Sequence, residues 1–563
     1  MLFAGLDLSF RSVDRPAFHD FVTLLNPDAA QHLGTRFRLA RDLLSAGESA
    51  TAQLRQLLTR DGLAGRVTLT TDIWTSENNV AFMVVTAHRV TSDFQLQQMV
   101  IDFRPLEGRH TGDKIADELE QVIGQWALGG GEFFGVTTDN AENNNRAVRL
   151  LTGVADDTPG SRPRVPPLMS LSRHFRQRVA LQRGGATQAE GGSSARKRPA
   201  DLRLIVDLDT RWGSTLEMVV RGCELHIPLT MYFDESTVLP TPLHPFPLSP
   251  SQPNITKATR TVWAEIRLSD AHLTALNELR AFLEPFDSIT LFVEGSLYPT
   301  MGSVVPQYNM LLDILEGNRV SPDVSQLCND LSNRALSKLE RHMGGVSEEA
   351  AIATFLDPRL KTATFRLRAR GARTSAPIVV EAGGHVRGAR TLDLSEERVK
   401  ALVRERLPPY RQRSVQRQRH ALVVRSRGVL DFQARLLAEL VEMEAEEGVR
   451  AQDEVDQYLA EARQDGGCAL AYWRGRELQL PGLKAMALDY LGIPATSATS
   501  ERAFSQSRDI IWWQRHRLSP RQMRAAMMLK TWQDHHPGQR LEVRGGTRTT
   551  LAQLCLEAEQ LGL

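Results

Sequence analysis

The spacing of apolar residues changes from helical to strand-like early in the chain. Between residues 16 and 60 apolar positions fall three and four apart, which predicts helix. After residue 65 the period becomes two, and short polar connectors separate runs rich in β-formers. These predicted strands are Arg66–Trp74, Asn79–Val90 and Gln95–Leu106. Their order and short connections predict an antiparallel meander.

A helix and a fourth strand are predicted next. Thr111 can cap a helix with an apolar face, and the run Glu132–Asn140 is again rich in β-formers. Antiparallel strands followed by a helix and a further strand are the opening of an RNase H-like domain, although other α+β folds share this order. In an RNase H-like sheet the first and fourth strands lie side by side.

The remainder of the chain is predicted to be mostly helical. Residues 155–201 are rich in Pro, Gly, Ser and Arg, which is typical of a flexible linker. Residues 202–465 follow as helices with proline- and glycine-rich interruptions, and strongly patterned helices return from Ala469 to Trp532. In the last of these, Ser519 and Gln522 form the pattern of a capping box.

Length and composition narrow the class of protein. A chain of 563 residues is too long for one core, and about two to four domains are expected. The formal charge of +1 gives no global bias toward nucleic acid, so DNA contact would need local basic patches. No stretch of about 18 apolar residues occurs, so no membrane span is expected. The four cysteines form no Cys-x-x-Cys, which argues against a zinc site and favours a reducing compartment.

Three carboxylates are candidates for chemistry. Asp72 and Asp139 each end a predicted strand after two threonines, so adjacent first and fourth strands would bring them to one edge of the sheet. Carboxylate oxygens suit Mg²⁺, and two such ions can support phosphoryl transfer. Glu501, near the start of a predicted helix, is the candidate third carboxylate. The alternative is structural: turn or capping residues for the aspartates, and a favourable helix-dipole position for Glu501.

Arg211 and Trp212 form a second candidate feature. An adjacent Arg and Trp can contact phosphate and stack on a base. The alternative, which the spacing alone favours, is an amphipathic helix that places Trp212 in a core.

Several stretches, in order along the chain, resemble one family. They include LTTDIWTSENNVAFMVVTAHRV, VTTDNAENN, DTRWGSTLEMV, ATFLDPRLKTATF, YLGIPATSATSERAFSQSRDI and RHRLSPRQMRAAMMLKTW. Together they resemble hAT-superfamily transposases, and most closely the domesticated BED-type zinc finger proteins derived from them. The resemblance implies an α/β (α+β) architecture. In that architecture an RNase H-like core is interrupted by a large all-α insertion and followed by C-terminal hAT dimerisation helices.

The resemblance and the composition together predict a division of the chain. The predicted segments are an N-terminal helical segment (1–65), the first part of the RNase H-like core (66–154), a flexible linker (155–201), a helical insertion (202–465), the end of the core with the dimerisation region (466–535), and a tail (536–563).

The resemblance also implies roles for individual residues. Asp72, Asp139 and Glu501 match the family's three catalytic acids, which would hold Mg²⁺. Arg211 and Trp212 match an Arg-Trp motif in which the Trp supports a flipped base. A homodimer is implied through the C-terminal helices. The candidate contact residues are Leu518, Met523, Ala526, Met527 and Leu529.

Two features of the family are missing from this sequence. The BED finger, a zinc module that binds DNA, is not in the chain, so no zinc site is expected and DNA binding is expected to be weak or unspecific. A strand with a Cys-x-x-His motif usually follows the second acid, and it is also missing between Asp139 and His174. Losing that strand would leave an edge of the sheet exposed.

The favoured functional hypothesis is a domesticated hAT transposase-like nuclear protein. It would be a DNA-associated homodimer that acts in transcription or chromatin regulation without transposition. One alternative is an active hAT DNA transposase that cuts and joins DNA with a two-metal Asp-Asp-Glu site. Another is a non-enzymatic dimerisation scaffold or a truncated product. The favoured hypothesis is therefore of a protein that is not an enzyme, whereas an active one would be a DNA transposase that carries out metal-dependent phosphoryl transfer.

Overall fold

The computed structural model describes much of the chain. Described are residues 10–27, 30, 33–59, 65–75, 80–106, 108, 110–129, 131–139, 142–152, 170–171, 215–227, 269–343, 348–366, 395–415, 453–476, 478–511 and 519–536. The side chains of residues 59, 139, 142, 152, 170–171, 340–343 and 505–511 lie outside the description.

A mixed α/β architecture results, with more helix than strand. The strands are β1 (Val67–Thr75), β2 (Ala81–Val90), β3 (Leu96–Leu106), β4 (Phe133–Asp139) and β5 (Ser170–Leu171). The helices of the first half are α1 (Pro16–Leu25), α2 (Arg36–Thr59), α3 (Gly112–Gln125), α4 (Glu142–Thr152), α5 (Asp270–Val293), α6 (Val304–Val320) and α7 (Gln326–Met343). Those that follow are α8 (Glu348–Leu356), α9 (Glu396–Arg406), α10 (Glu454–Ala460), α11 (Ala469–Arg474), α12 (Pro481–Tyr490), α13 (Ala498–Ile511) and α14 (Pro520–His535).

The sheet has the order β3-β2-β1-β4-β5. β1 and β2 pair antiparallel, as do β2 and β3, while β4 runs parallel to β1. The predicted meander and the predicted adjacency of the first and fourth strands are therefore confirmed.

β5 bears on the strand that was expected to be missing after β4. Ser170 and Leu171 pair in parallel with Thr138 and Asp139, although they carry no Cys-x-x-His motif. With only two residues, β5 has no periodicity from which a strand could be predicted. The edge of β4 is therefore paired at these two positions.

Helix α14 completes the core on β3 and α2. Its N-terminus has the predicted capping box, in which the Ser519 side chain accepts from the Gln522 backbone and the Gln522 side chain bonds the Ser519 backbone. The two helices approach closely, since a Cβ at Gly47 would lie 2.5 Å from the Ala525 Cβ. The core cluster combines apolar side chains from α2, α3, α13, α14 and the sheet. This packing joins α2 to α14, which are more than 400 residues apart in the sequence.

A buried charge cluster ties α12 to the start of β1. The Asp489 carboxylate accepts hydrogen bonds from Arg66 Nε at 2.7 Å and from Arg413 Nη2 at 3.0 Å. The Arg66 guanidinium also lies 4.3 Å from the centre of the Phe134 ring. Burial favours the neutral Asp489 carboxyl, but Arg413 and Arg66 outweigh burial, so the pKa of Asp489 is lowered. Asp489 is therefore an ionised carboxylate inside the fold.

The chain divides into two compact units. One comprises Met1–Arg173, Val293–Gln307 and His342–Leu563, and the other comprises His174–Phe292 and Tyr308–Arg341. In the second unit the Ser325 hydroxyl donates to the Glu278 carboxylate at 2.7 Å, which joins the segment before α7 to α5. The segment division given from the sequence stays a prediction. Within the part of the chain that the structure describes, every helix is too short or too polar to cross a membrane.

Candidate functional site

The ends of β1 and β4 carry the two candidate aspartates at matching positions. Thr70 pairs with Thr137 in parallel register, and Asp72 and Asp139 each lie two residues further along their strands. β1 is buried through Thr71 and becomes partly exposed at Asp72. The sheet therefore places both residues at the same end of adjacent strands. The side chain of Asp139 lies outside the described part of the chain.

Helix α13 covers the face of β1 that carries Asp72. The Thr70 and Ser500 hydroxyl oxygens are 2.8 Å apart, and the Trp74 and Phe504 ring centres are 6.0 Å apart. Thr70, Asp72 and Trp74 share one face of β1, because alternate side chains of a strand point to the same side. α13 thus contacts this face both before and after Asp72.

Glu501 lies in the first turn of α13, directly after Ser500. The turn is closed by the Ser497 carbonyl, which accepts the Ser500 amide at 2.9 Å and the Glu501 amide at 3.3 Å. The Ser500 contact with Thr70 therefore places Glu501 one residue from a direct bond to β1. Asp72 and Asp139 therefore lie at the same end of adjacent strands, and Glu501 follows the residue that contacts β1. That the three acids form one site stays a prediction.

Arg502 fixes the other side of the same helical turn. Its guanidinium donates from Nη1 to the Glu294 carbonyl at 3.0 Å and from Nη2 to the Thr499 hydroxyl at 3.2 Å. Just before the helix, the Ala495 amide donates to the Thr300 hydroxyl at 3.0 Å. The segment leading into α13 is therefore anchored at two points.

His88 lies behind Thr70 in the core. Its Nε2 is 3.0 Å from the Thr70 hydroxyl oxygen. Burial, with a smaller contribution from the positive charge of Arg502, lowers the pKa of His88 to about 3. The ring is therefore neutral at pH 7 and can bond the hydroxyl without placing a charge in the core.

The sequence predictions do not include Thr70, His88 or Ser500. The signal in the sequence is the pair of threonines before each candidate aspartate. It marks the strand ends, but it does not indicate that Ser500 lies beside Thr70.

Other predicted site residues are not placed by the structure. Arg211, Trp212 and Leu518 lie outside the described residues. Among the side chains that are described, no group of three or more His, Cys, Asp or Glu could hold a metal ion, and Asp139 is not among those side chains.

The predicted dimer contacts on α14 are buried within the single chain. The residues concerned are Met523, Ala526, Met527 and Leu529. All four belong to the core cluster that α14 shares with α2 and the sheet. This packing leaves the four side chains almost no surface for a partner.

Two families of known domains match the segments that carry the candidate acids. Residues 70–158, with Asp72 and Asp139, match the ZBED1 RNase-like domain. Residues 454–533, with Glu501, match the hAT family C-terminal dimerisation region. The chain is a relative of hAT-family transposases.

Two of the curated proteins similar to this hAT-family relative match most of its length, and a third matches about a quarter of it. A Talaromyces stipitatus protein named as transcriptional regulator tpeD is 22% identical over 92% of this chain and 60% of its own length. A Zea mays protein named as AC9 transposase is 22% identical over 93% of this chain and 63% of its own length. The Arabidopsis thaliana zinc finger BED domain-containing protein DAYSLEEPER is 22% identical over 27% of this chain and 21% of its own length. The chain spans about three fifths of the length of the first two.

Proposed function

We propose that this hAT transposase-derived protein self-associates, binds DNA in the nucleus and acts in transcription or chromatin regulation without transposition. The observation that carries the proposal is the similarity to a protein named as a transcriptional regulator over 92% of this chain. The match to the hAT dimerisation region supports self-association. We also propose an RNase H-like core, supported by the antiparallel β1 to β3 followed by α3 and the parallel β4.

Arg211 and Trp212 are the proposed DNA contacts. The purified chain is expected to be a dimer by light scattering and to retard duplex DNA in a salt-dependent way, because cationic contacts to phosphate release counterions. Arg211→Ala is expected to reduce the slope of the logarithm of the binding constant against the logarithm of the salt concentration by about one, because one phosphate contact is lost. The control is Arg334→Ala, which changes an exposed arginine of α7.

Each of two results would contradict one part of this proposal. A monomer at micromolar concentration would remove the self-association. A dimer without DNA affinity at low salt would instead support the non-enzymatic scaffold.

Metal-dependent DNA cleavage is a second candidate function. It is supported by the matched strand positions of Asp72 and Asp139 and by the contact of Ser500, the residue before Glu501, with Thr70 of β1. Three carboxylates are a donor set that fits Mg²⁺, and these residues would hold the ion. When bound, Mg²⁺ would stabilise the negative charge on the phosphate and on the leaving oxygen. The strands and α13 would supply only the fixed positions of the three carboxylates.

Cleavage assays separate the two candidates. With Mg²⁺ or Mn²⁺ and transposon-end DNA, we expect no cleavage above the background without protein, since the proposed regulator does not transpose. Cleavage that Asp139→Asn abolishes would overturn the regulator proposal and establish the second candidate. Asp117→Asn, at an exposed position of α3, is the matched control and should leave any cleavage unchanged.

A further inference from the structure

Side-chain hydroxyls join β1 to α13 at a point closed to solvent. Thr70 and Ser500 are both 0% exposed, and their oxygens are 2.8 Å apart. His88 Nε2 lies 3.0 Å from the same Thr70 oxygen, so the three side chains form one continuous row of hydrogen bonds. Such buried bonds lack water as a competing partner, which makes their loss costly.

We propose that Thr70, Ser500 and His88 are positioning residues that hold the first turn of α13 so that Glu501 stays beside the end of β1. The proposal rests on the proposed metal site and deepens it. Ser500 directly precedes Glu501, and Thr70 lies two residues before Asp72, so one bond sets the separation of two candidate ligands. Outer partners of this kind orient metal ligands and tune affinity for the metal.

Thr70 is the central member of the row. The Thr70 hydroxyl has one hydrogen to donate and two lone pairs to accept with, so it can donate to one neighbour while it accepts from the other, or accept from both Ser500 and His88. A neutral His88 is compatible with each of these arrangements, because its Nε2 donates in one tautomer and accepts in the other. Thr70→Val therefore breaks both bonds with little change in shape, whereas Thr70→Ser keeps the hydroxyl.

Thr68 offers a matched control on the same face of the same strand. It is also fully buried, and within the described part of the chain no hydrogen-bond partner lies near its hydroxyl. Thr68→Val thus makes the same chemical change two residues earlier without breaking a bond.

Hydrogen exchange of the full chain tests the positioning of α13 without any metal. In Thr70→Val, amides of residues 498–504 are expected to exchange about tenfold faster, since local opening of this turn loses a buried restraint. Thr68→Val and Thr70→Ser are expected to exchange as the wild type does. Equal exchange in Thr70→Val and Thr68→Val would overturn the proposal.

Titration with Mn²⁺ tests the consequence for Glu501. Glu501→Gln and Thr70→Val are each expected to weaken Mn²⁺ binding by about tenfold, and Thr68→Val and Thr70→Ser are expected to leave it unchanged. If Glu501→Gln weakens Mn²⁺ binding and Thr70→Val does not, the metal site stands and only the positioning role of Thr70 is overturned. Absence of Mn²⁺ binding in the wild type overturns the metal site, and the exchange experiment then decides whether the hydroxyls position α13.

Discussion

Replacing Met527 with glutamate is expected to lower the free energy of unfolding by at least about 4 kcal/mol. Met527 is 1% exposed and lies in the core that α14 shares with α2 and the sheet. A carboxylate at this position would lose its hydration without gaining a known partner, so the fold should fail before any dimer contact is tested. Denaturant unfolding combined with light scattering measures both effects.

The control for this prediction is Arg521→Glu on the same helix. Arg521 is exposed, so its replacement is expected to change the free energy of unfolding by no more than about 0.5 kcal/mol. A Met527→Glu protein that keeps its wild-type stability but becomes a monomer would show that Met527 lies in an intermolecular interface, as the sequence predicted.

Asp489→Ala is expected to destabilise the fold by about 3–5 kcal/mol. Asp489 is 0% exposed and accepts hydrogen bonds from both Arg66 and Arg413, so its removal leaves two largely buried guanidinium groups without their anion. Thermal or denaturant unfolding at pH 7 gives the difference from the wild type.

The pH dependence of that difference is an internal check. Because the pKa of Asp489 is lowered in the fold, its stabilisation is present above the unfolded pKa of about 4 and is lost as the pH falls through the folded value. The gap between wild type and variant should therefore narrow in acid. Asp117→Ala, which removes an exposed helical aspartate, should change the free energy of unfolding little, both at pH 7 and in acid. A destabilisation by Asp489→Ala as small as that of Asp117→Ala would contradict the buried cluster.

The local sequence was sufficient to predict many of the strands and helix caps of the first compact unit. The alternation after residue 65 predicted β1 to β3, and the Thr111 side chain accepts from the Lys114 backbone as the predicted cap of α3. The capping box at Ser519 is also confirmed. These features depend on neighbours within a few residues, which is why one sequence is enough to predict them.

Contacts between distant residues could not be predicted in the same way. The apolar face of α14 has the same sequence pattern whether it packs on α2 or on another chain, so periodicity did not distinguish a core from an interface. Thr70 and Ser500 are 430 residues apart, and neither belongs to a motif that specifies its partner. The place of Glu501 beside β1 could be expected from the resemblance, but the hydroxyl contact that sets it could not.

The packing of α14 against α2 has a consequence for folding during synthesis. Trp532 Nε1 donates to the Gln53 side chain at 3.0 Å across 479 residues of sequence. On the ribosome, the early helices and strands emerge long before the helix that covers them, so apolar surface stays uncovered through most of synthesis. Contacts between residues so far apart in the sequence slow folding, and the intermediates that lack them are prone to aggregation. The nascent chain is therefore expected to need chaperones until α14 is released.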